Sequence, residues 1–126
     1  LQGLGGNREI RVNRDWVKAQ HAPAMDNPVD RARMSGKPTM VEFGAEGCVP
    51  CDMMQPILDR LRKKYPDELN VVFVHVGENR ILGARYGIRS IPVQVFYDEN
   101  GDELFRHVGF YAEPEVLKQL AKLGVE

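Results

Sequence analysis

The chain has only two cysteines, Cys48 and Cys51, and they stand two residues apart where a strand-like run gives way to a helix-like one. No other feature narrows the possible folds as much. Ser35-Gly36-Lys37-Pro38 is a turn signal, and Thr39-Met40-Val41-Glu42-Phe43 is a short run rich in strand formers. Beyond the pair, Met54, Ile57, Leu58 and Leu61 recur at helical spacing within 48–65, and Pro66 closes the pattern. Pro56 lies inside that helix and, lacking an N–H, is expected to kink it. Cys48 thus falls at a helix N-terminus, where unpaired N–H groups and the helix dipole favour a thiolate. Cys51 lies one turn further on, placed to resolve a mixed disulfide formed at Cys48. Pro50 suits a first helical turn, where its missing donor costs nothing. Two thiols cannot build a disulfide framework, and a bond closing so short a loop would stabilise little, so the spacing points to chemistry.

The remainder of the chain sets this junction in a layered domain. Residues 69–76 form a nearly continuous β-branched and aromatic run, the pattern of a strand covered on both faces and hence of a central strand. A short helix is predicted over 78–86, stopped by Gly87. Pro92 then opens a strand over 93–97. Asp98-Glu99-Asn100-Gly101 is a hairpin signal leading to a strand over 103–108. An amphipathic helix over 113–123 presents Val116, Leu117, Leu120 and Leu123 on one face, with Pro114 in its first turn. The order from Pro38 is strand, helix, strand, helix, strand, strand, helix, which predicts an α/β fold with a central mixed sheet flanked by helices. Upstream, Glu9-Ile10-Arg11-Val12 reads as an edge strand, and 15–20 and 28–34 as short helices. Residues 1–35 are therefore an N-terminal extension packing on or leading into a core over 36–126.

With 126 residues the chain has room for one domain. Its net charge of −1, with both signs interspersed, gives no footprint for nucleic acid. No apolar stretch is long enough to span a bilayer. Half of a zinc site and a pair of inert thiols are the competing readings of the cysteine pair; for zinc, His21, His75 and His107 are scattered singly, so no metal is expected. His75 alternates with apolar residues and reads as a hydrogen-bonded core histidine. Met53 and Met54 read as packing residues or as an adaptable partner surface.

The stretch Val41-Glu42-Phe43-Gly44-Ala45-Glu46-Gly47-Cys48-Val49-Pro50-Cys51 resembles the active-site segment of thioredoxins. Pro56 matches the kinking proline of that family, Tyr86-Gly87-Ile88-Arg89-Ser90-Ile91-Pro92 matches its second signature, and Asn100-Gly101 and Val108-Gly109 fit its hairpin and the glycine after it. The likeness covers about residues 36 to 123 and implies a thioredoxin fold. It also implies a thiol–disulfide oxidoreductase in which Cys48 is the nucleophile, Cys51 the resolving thiol and Glu42 the buried acid that takes the proton of Cys51. A cis Ile91–Pro92 bond is implied beside the dithiol. Ile91, Pro92, Val49 and Pro50 would then line the substrate-binding surface, where a partner peptide pairs in extended form. No cofactor is implied. The expected partners are a protein disulfide substrate and an upstream thiol reductase or membrane electron donor, with the chain acting as a monomer.

Departures from the family pattern refine the expectation. Gly44 and Gly47 stand where aromatic residues usually flank the site, which should leave a flatter groove and a more flexible loop. Asp52 and Phe73 replace two lysines, leaving Glu42, Glu46 and Asp52 around the dithiol without a basic residue nearby in sequence. Negative neighbours oppose thiolate formation, which predicts a reductant or electron carrier. A disulfide oxidase or isomerase on the same fold, or a redox-sensing binding module without turnover, are the alternatives. Cys-Val-Pro-Cys is similar to the Cys-Val-x-Cys of the C-terminal domains of bacterial transmembrane thiol–disulfide interchange reductases. That likeness implies a periplasmic or membrane-tethered protein on the extracytoplasmic side, with a cytoplasmic one as the alternative. Trp16, the single tryptophan, is expected to be a core residue of the extension or to pack near Gly44 and Gly47.

Overall fold

A computed structural model describes residues 27–126. The readings for 9–12, 15–20 and Trp16 lie outside the described residues. Within them run α1 (Pro28–Arg33), β1 (Thr39–Gly44), α2 (Val49–Lys64), β2 (Asn70–His75), α3 (Arg80–Arg85), β3 (Val93–Tyr97), β4 (Glu103–Val108) and α4 (Glu113–Lys122). The helix predicted over 78–86 starts later, with Asn79 still non-helical at the position before its first residue. Helix α2 continues through Pro56, whose ring lies on the exposed side.

The strands form one sheet in the order β2-β1-β3-β4, with β1 parallel to β2 and antiparallel to β3, and β3 antiparallel to β4. Strand alternation divides the core in two. Met40 and Phe96 face α2 and α4, meeting Met54, Ile57, Leu58, Leu61, Val116 and Leu120. Val41, Phe43, Val95 and Tyr97 face the other way, towards Val29 of α1 and Leu82 of α3. Each such side chain contributes about 1.5–3 kcal/mol when fully buried, so the two layers hold the sheet from both sides.

The central position predicted for 69–76 goes instead to β1, which is buried along its whole length. Strand β2 lies at the end of the sheet among the described residues and is only half-buried. Its apolar run is still explained by two covered faces, since Val71 and Phe73 pack on one layer and Val72 on the other. A continuous hydrophobic pattern reports faces, not lateral neighbours.

Helix α1 is pinned by Asp30, which is fully buried. Its backbone N–H donates to Asn27 Oδ1 at 2.8 Å, and its carboxylate receives Arg85 Nη1 at 2.7 Å and the Tyr86 hydroxyl. Asp30→Ala should cost about 2–3 kcal/mol in chemical denaturation, because it takes away the carboxylate that accepts from the Tyr86 hydroxyl and from Arg85. The β3–β4 hairpin docks on the same helix: Arg33 Nε donates to the carbonyl of Gly101 at 2.9 Å. Gly101 has φ +83°, and a Cβ there would stand 2.7 Å from the Arg33 carbonyl oxygen, so both conformation and space demand glycine.

Candidate active site

Strand β1 delivers the chain to the sheet's end at Gly44, and α2 begins again at Val49. Between them Gly47 turns the chain at φ +74°. Cys48 is the N-terminal cap residue of α2, extended at φ −106° and ψ 108°. The Cys51 N–H donates to Cys48 Sγ at 3.3 Å, so a free backbone donor of the first helical turn is aimed at this sulfur. The two cysteines form a disulfide with their Cα atoms 5.1 Å apart. Cys48 is half-buried whereas Cys51 is 1% exposed. Only one sulfur of the pair is within easy reach of a large partner.

Glu42 lies on β1 two residues before Gly44, hence on the same face of the strand, and is 0% exposed. A Cβ at Gly44 would be 3.3 Å from Cys51 Sγ, so this face of β1 is the floor beneath the resolving cysteine. Gln94 Nε2 donates to Glu42 Oε1 at 3.1 Å, while Oε2 is buried without a hydrogen-bond partner. Burial pushes the carboxyl from its ordinary value near 4.5 up to about 8, against the smaller opposing effect of the Gln94 hydrogen bond. It is thus a buried acid with one oxygen held and the other free.

The open groove expected at Gly44 is not found. Phe73 Cε1 would lie 3.1 Å from a Cβ at this position, so its ring and Cys51 occupy the space that a side chain on residue 44 would claim. Nothing approaches Gly47, where the surface is open.

The Ile91–Pro92 peptide is cis. Pairing of Phe43 with Val93 brings the start of β3 to the end of β1, so Ile91 and Pro92 lie at the sheet end that carries the dithiol. Pro92 is buried and Ile91 half-buried. Val49 and Met53, on the first turns of α2, are 69% and 51% exposed, and Phe110 beyond β4 is also exposed. Met54 is buried and accepts from the Tyr111 N–H at 3.4 Å, so of the two methionines one packs and one faces solvent. His75 is half-buried at the end of β2, and its buried Nδ1 has no hydrogen-bond partner, unlike the bonded core histidine expected. Its ring lies instead beside Gly77.

Gln94, passed over in the sequence, and His107, weighed there only as a scattered zinc ligand, line up beside Glu42. Gln94 is fully buried against Glu42, and its Oε1 lies 3.0 Å from His107 Nδ1. A polar residue inside an otherwise apolar strand, as Gln94 is within Val93-Gln94-Val95-Phe96-Tyr97, was the available signal. Among the described residues no group of three or more His, Cys, Asp or Glu could hold a metal ion. A cavity of about 780 Å³ beside Asn27 and α3 includes neither cysteine, and disulfide exchange requires an exposed sulfur, not a cavity.

Comparison with known proteins agrees with this geometry. A family model described as a thioredoxin-like domain matches residues 25–124. Thioredoxin of Rickettsia prowazekii is 35% identical over 88 residues, covering 70% of this chain and 83% of that protein. Thioredoxin of Alicyclobacillus acidocaldarius is 30% identical over 76% of this chain and 90% of its own length. Among solved structures, a mutant thioredoxin from Halobacterium salinarum superposes with a TM-score of 0.67 at 28% identity, over 78% of this chain and 83% of that one. The dithiol at the head of α2 is thus set in the fold that these relatives share, and the chain belongs to the thioredoxin family, as a thiol–disulfide oxidoreductase.

Proposed function

We propose that the protein reduces disulfide bonds in other proteins. The observation that carries the mechanism is the pairing of an accessible Cys48 with a buried Cys51 above a buried carboxyl. In the reduced protein the Cys48 thiolate attacks one sulfur of the substrate disulfide, and the other leaves as a thiolate that takes a proton from solvent. Cys51 then gives its proton to Glu42 Oε2 and attacks Cys48 Sγ. The Cys48–Cys51 bond forms, the mixed disulfide breaks, and the substrate gains two electrons. The unpartnered Oε2 fits this role, since in the oxidised state no Cys51 thiol exists to donate to it. Val49, Pro50, Ile91 and Pro92 supply the surface against which an extended substrate segment lies, and the exposed Met53 and Phe110 extend it.

The charge around the dithiol supports electron flow from the protein to its substrate. No lysine or arginine occurs from Glu42 to Asp59, whereas Glu46 and Asp52 flank the dithiol. A Cys48 thiolate with the helix terminus beside it and no cation among its sequence neighbours is stabilised modestly. The reduced form therefore gives up its electrons readily. Equilibration with a glutathione or dithiothreitol couple should place the potential near that of thioredoxins, about −270 mV. A value above about −150 mV would assign the protein to disulfide oxidation instead. The Cys-Val-Pro-Cys sequence further supports an extracytoplasmic monomer supplied by a membrane electron donor, through its likeness to the C-terminal domains of the membrane reductases.

A further inference from the structure

The strand register aligns three polar side chains in a row across the face of the sheet that carries α2. Glu42 pairs with Gln94, and Gln94 pairs with His107. Side chains follow the backbone: Gln94 Nε2 donates to Glu42 Oε1 at 3.1 Å, and Gln94 Oε1 lies 3.0 Å from His107 Nδ1. A carbonyl oxygen only accepts, so Nδ1 is the donor in this pair. The imidazole is itself fixed, stacked on Tyr111 with ring centroids 4.1 Å apart. Tyr111 in turn is anchored to α2 through its N–H and Met54 Sδ. Gln94 is fully buried, and for packing alone an apolar residue would serve without the desolvation of an amide. Both ends of that amide are instead engaged, one on the half-buried His107 and one on the acid.

We propose that Gln94 and His107 are positioning residues for the resolving step: His107 fixes the Gln94 amide, the amide holds Glu42 Oε1, and Oε2 is left to take the proton of Cys51. The inference rests on Glu42 being the acceptor of that proton. Around Glu42, β2 places Phe73 opposite, β3 places Gln94, and α2 places Cys51 above this face of β1. Among the described residues, burial and the Gln94 amide are the influences on the carboxyl. His107 faces Gln94 on one side and the Tyr111 ring on the other. A donor to Oε1 favours the carboxylate over the acid, so the row makes Glu42 a usable base at a lower pH than burial alone would allow.

The test separates the two exchange steps. Reduced protein is mixed with an aromatic disulfide reagent, and release of the coloured thiol is followed by stopped flow from pH 5 to 10. The first phase reports attack by Cys48 and the second reports resolution by Cys51. Gln94→Leu should move the midpoint of the second phase up by about one pH unit, slowing it about tenfold near neutrality. His107→Phe, which keeps the stack on Tyr111 and removes the donor, should slow it about threefold in the same direction. The first phase should be unchanged in both. Wild-type profiles in both folded variants would overturn the proposal, and His107→Phe decides alone if Gln94→Leu does not fold. Glu42→Gln distinguishes the failures. If it too keeps the wild-type profile, the acid is not the acceptor; if it alone loses the second phase, only the role of the row is refuted.

Discussion

Cys48→Ser is expected to leave less than about a thousandth of the wild-type rate of insulin-disulfide reduction, because a serine hydroxyl cannot enter disulfide exchange. Cys51→Ser should fail differently. The half-buried Cys48 still attacks, one equivalent of substrate thiol is released, and the protein stalls as a mixed disulfide seen as an added mass. The asymmetry is built into the backbone. Cys48 caps α2 and receives the Cys51 N–H at 3.3 Å, while Cys51 is 1% exposed above the floor formed by Gly44. A large substrate therefore reaches one sulfur and not the other. Mass spectrometry of both variants after mixing with insulin decides the order. A trapped adduct on Cys48→Ser, with neither adduct nor activity for Cys51→Ser, would reverse the roles assigned to the two thiols.

Much of this site could be read from the chain because its signals are local. Cys48 and Cys51 lie three positions apart at a strand–helix junction, and no tertiary information is needed to see that a helix terminus will face the first of them. Glu42 and Pro92 were singled out by the resemblance of the segments around them to those of thioredoxins. What escaped the sequence depends on lateral order. Strand β2 carries a run suited to the middle of a sheet, yet β1 is placed between β2 and β3. Gln94 acquires its meaning only once β1 and β3 are antiparallel neighbours with Glu42 opposite it, and His107 only once β4 is added in register. The Gly44 expectation failed for the same reason. The ring that occupies its space belongs to Phe73, on a strand 29 positions later in the chain.

Glu42→Gln should abolish the pH dependence that this one residue imposes on stability. In the unfolded chain its carboxyl titrates near 4.5, and in the fold burial pushes it up to about 8. The folded state therefore holds the proton more tightly than the unfolded state does. Its contribution to stability is fully present below pH 4.5 and is lost as pH rises towards 8. Across that window the wild type should lose on the order of 4 kcal/mol through this group. Glutamine has no charge to expose, so it removes the loss. It also keeps an oxygen that accepts from Gln94 Nε2, while putting an amide NH2 where Oε2 had no partner. That buried donor costs about 1–2 kcal/mol at every pH. Near pH 4 the variant should therefore be the less stable protein; the two curves cross as pH rises, and by pH 9 the variant should be the more stable by about 2–3 kcal/mol. Urea denaturation of both oxidised proteins at pH 4, 6.5 and 9 measures the difference, in which the other titrating groups cancel. Parallel curves would show that the carboxyl is not held protonated by its burial. A crossing would show instead that the fold maintains, beneath Cys51, an acid that destabilises it at the pH where the carboxylate is needed.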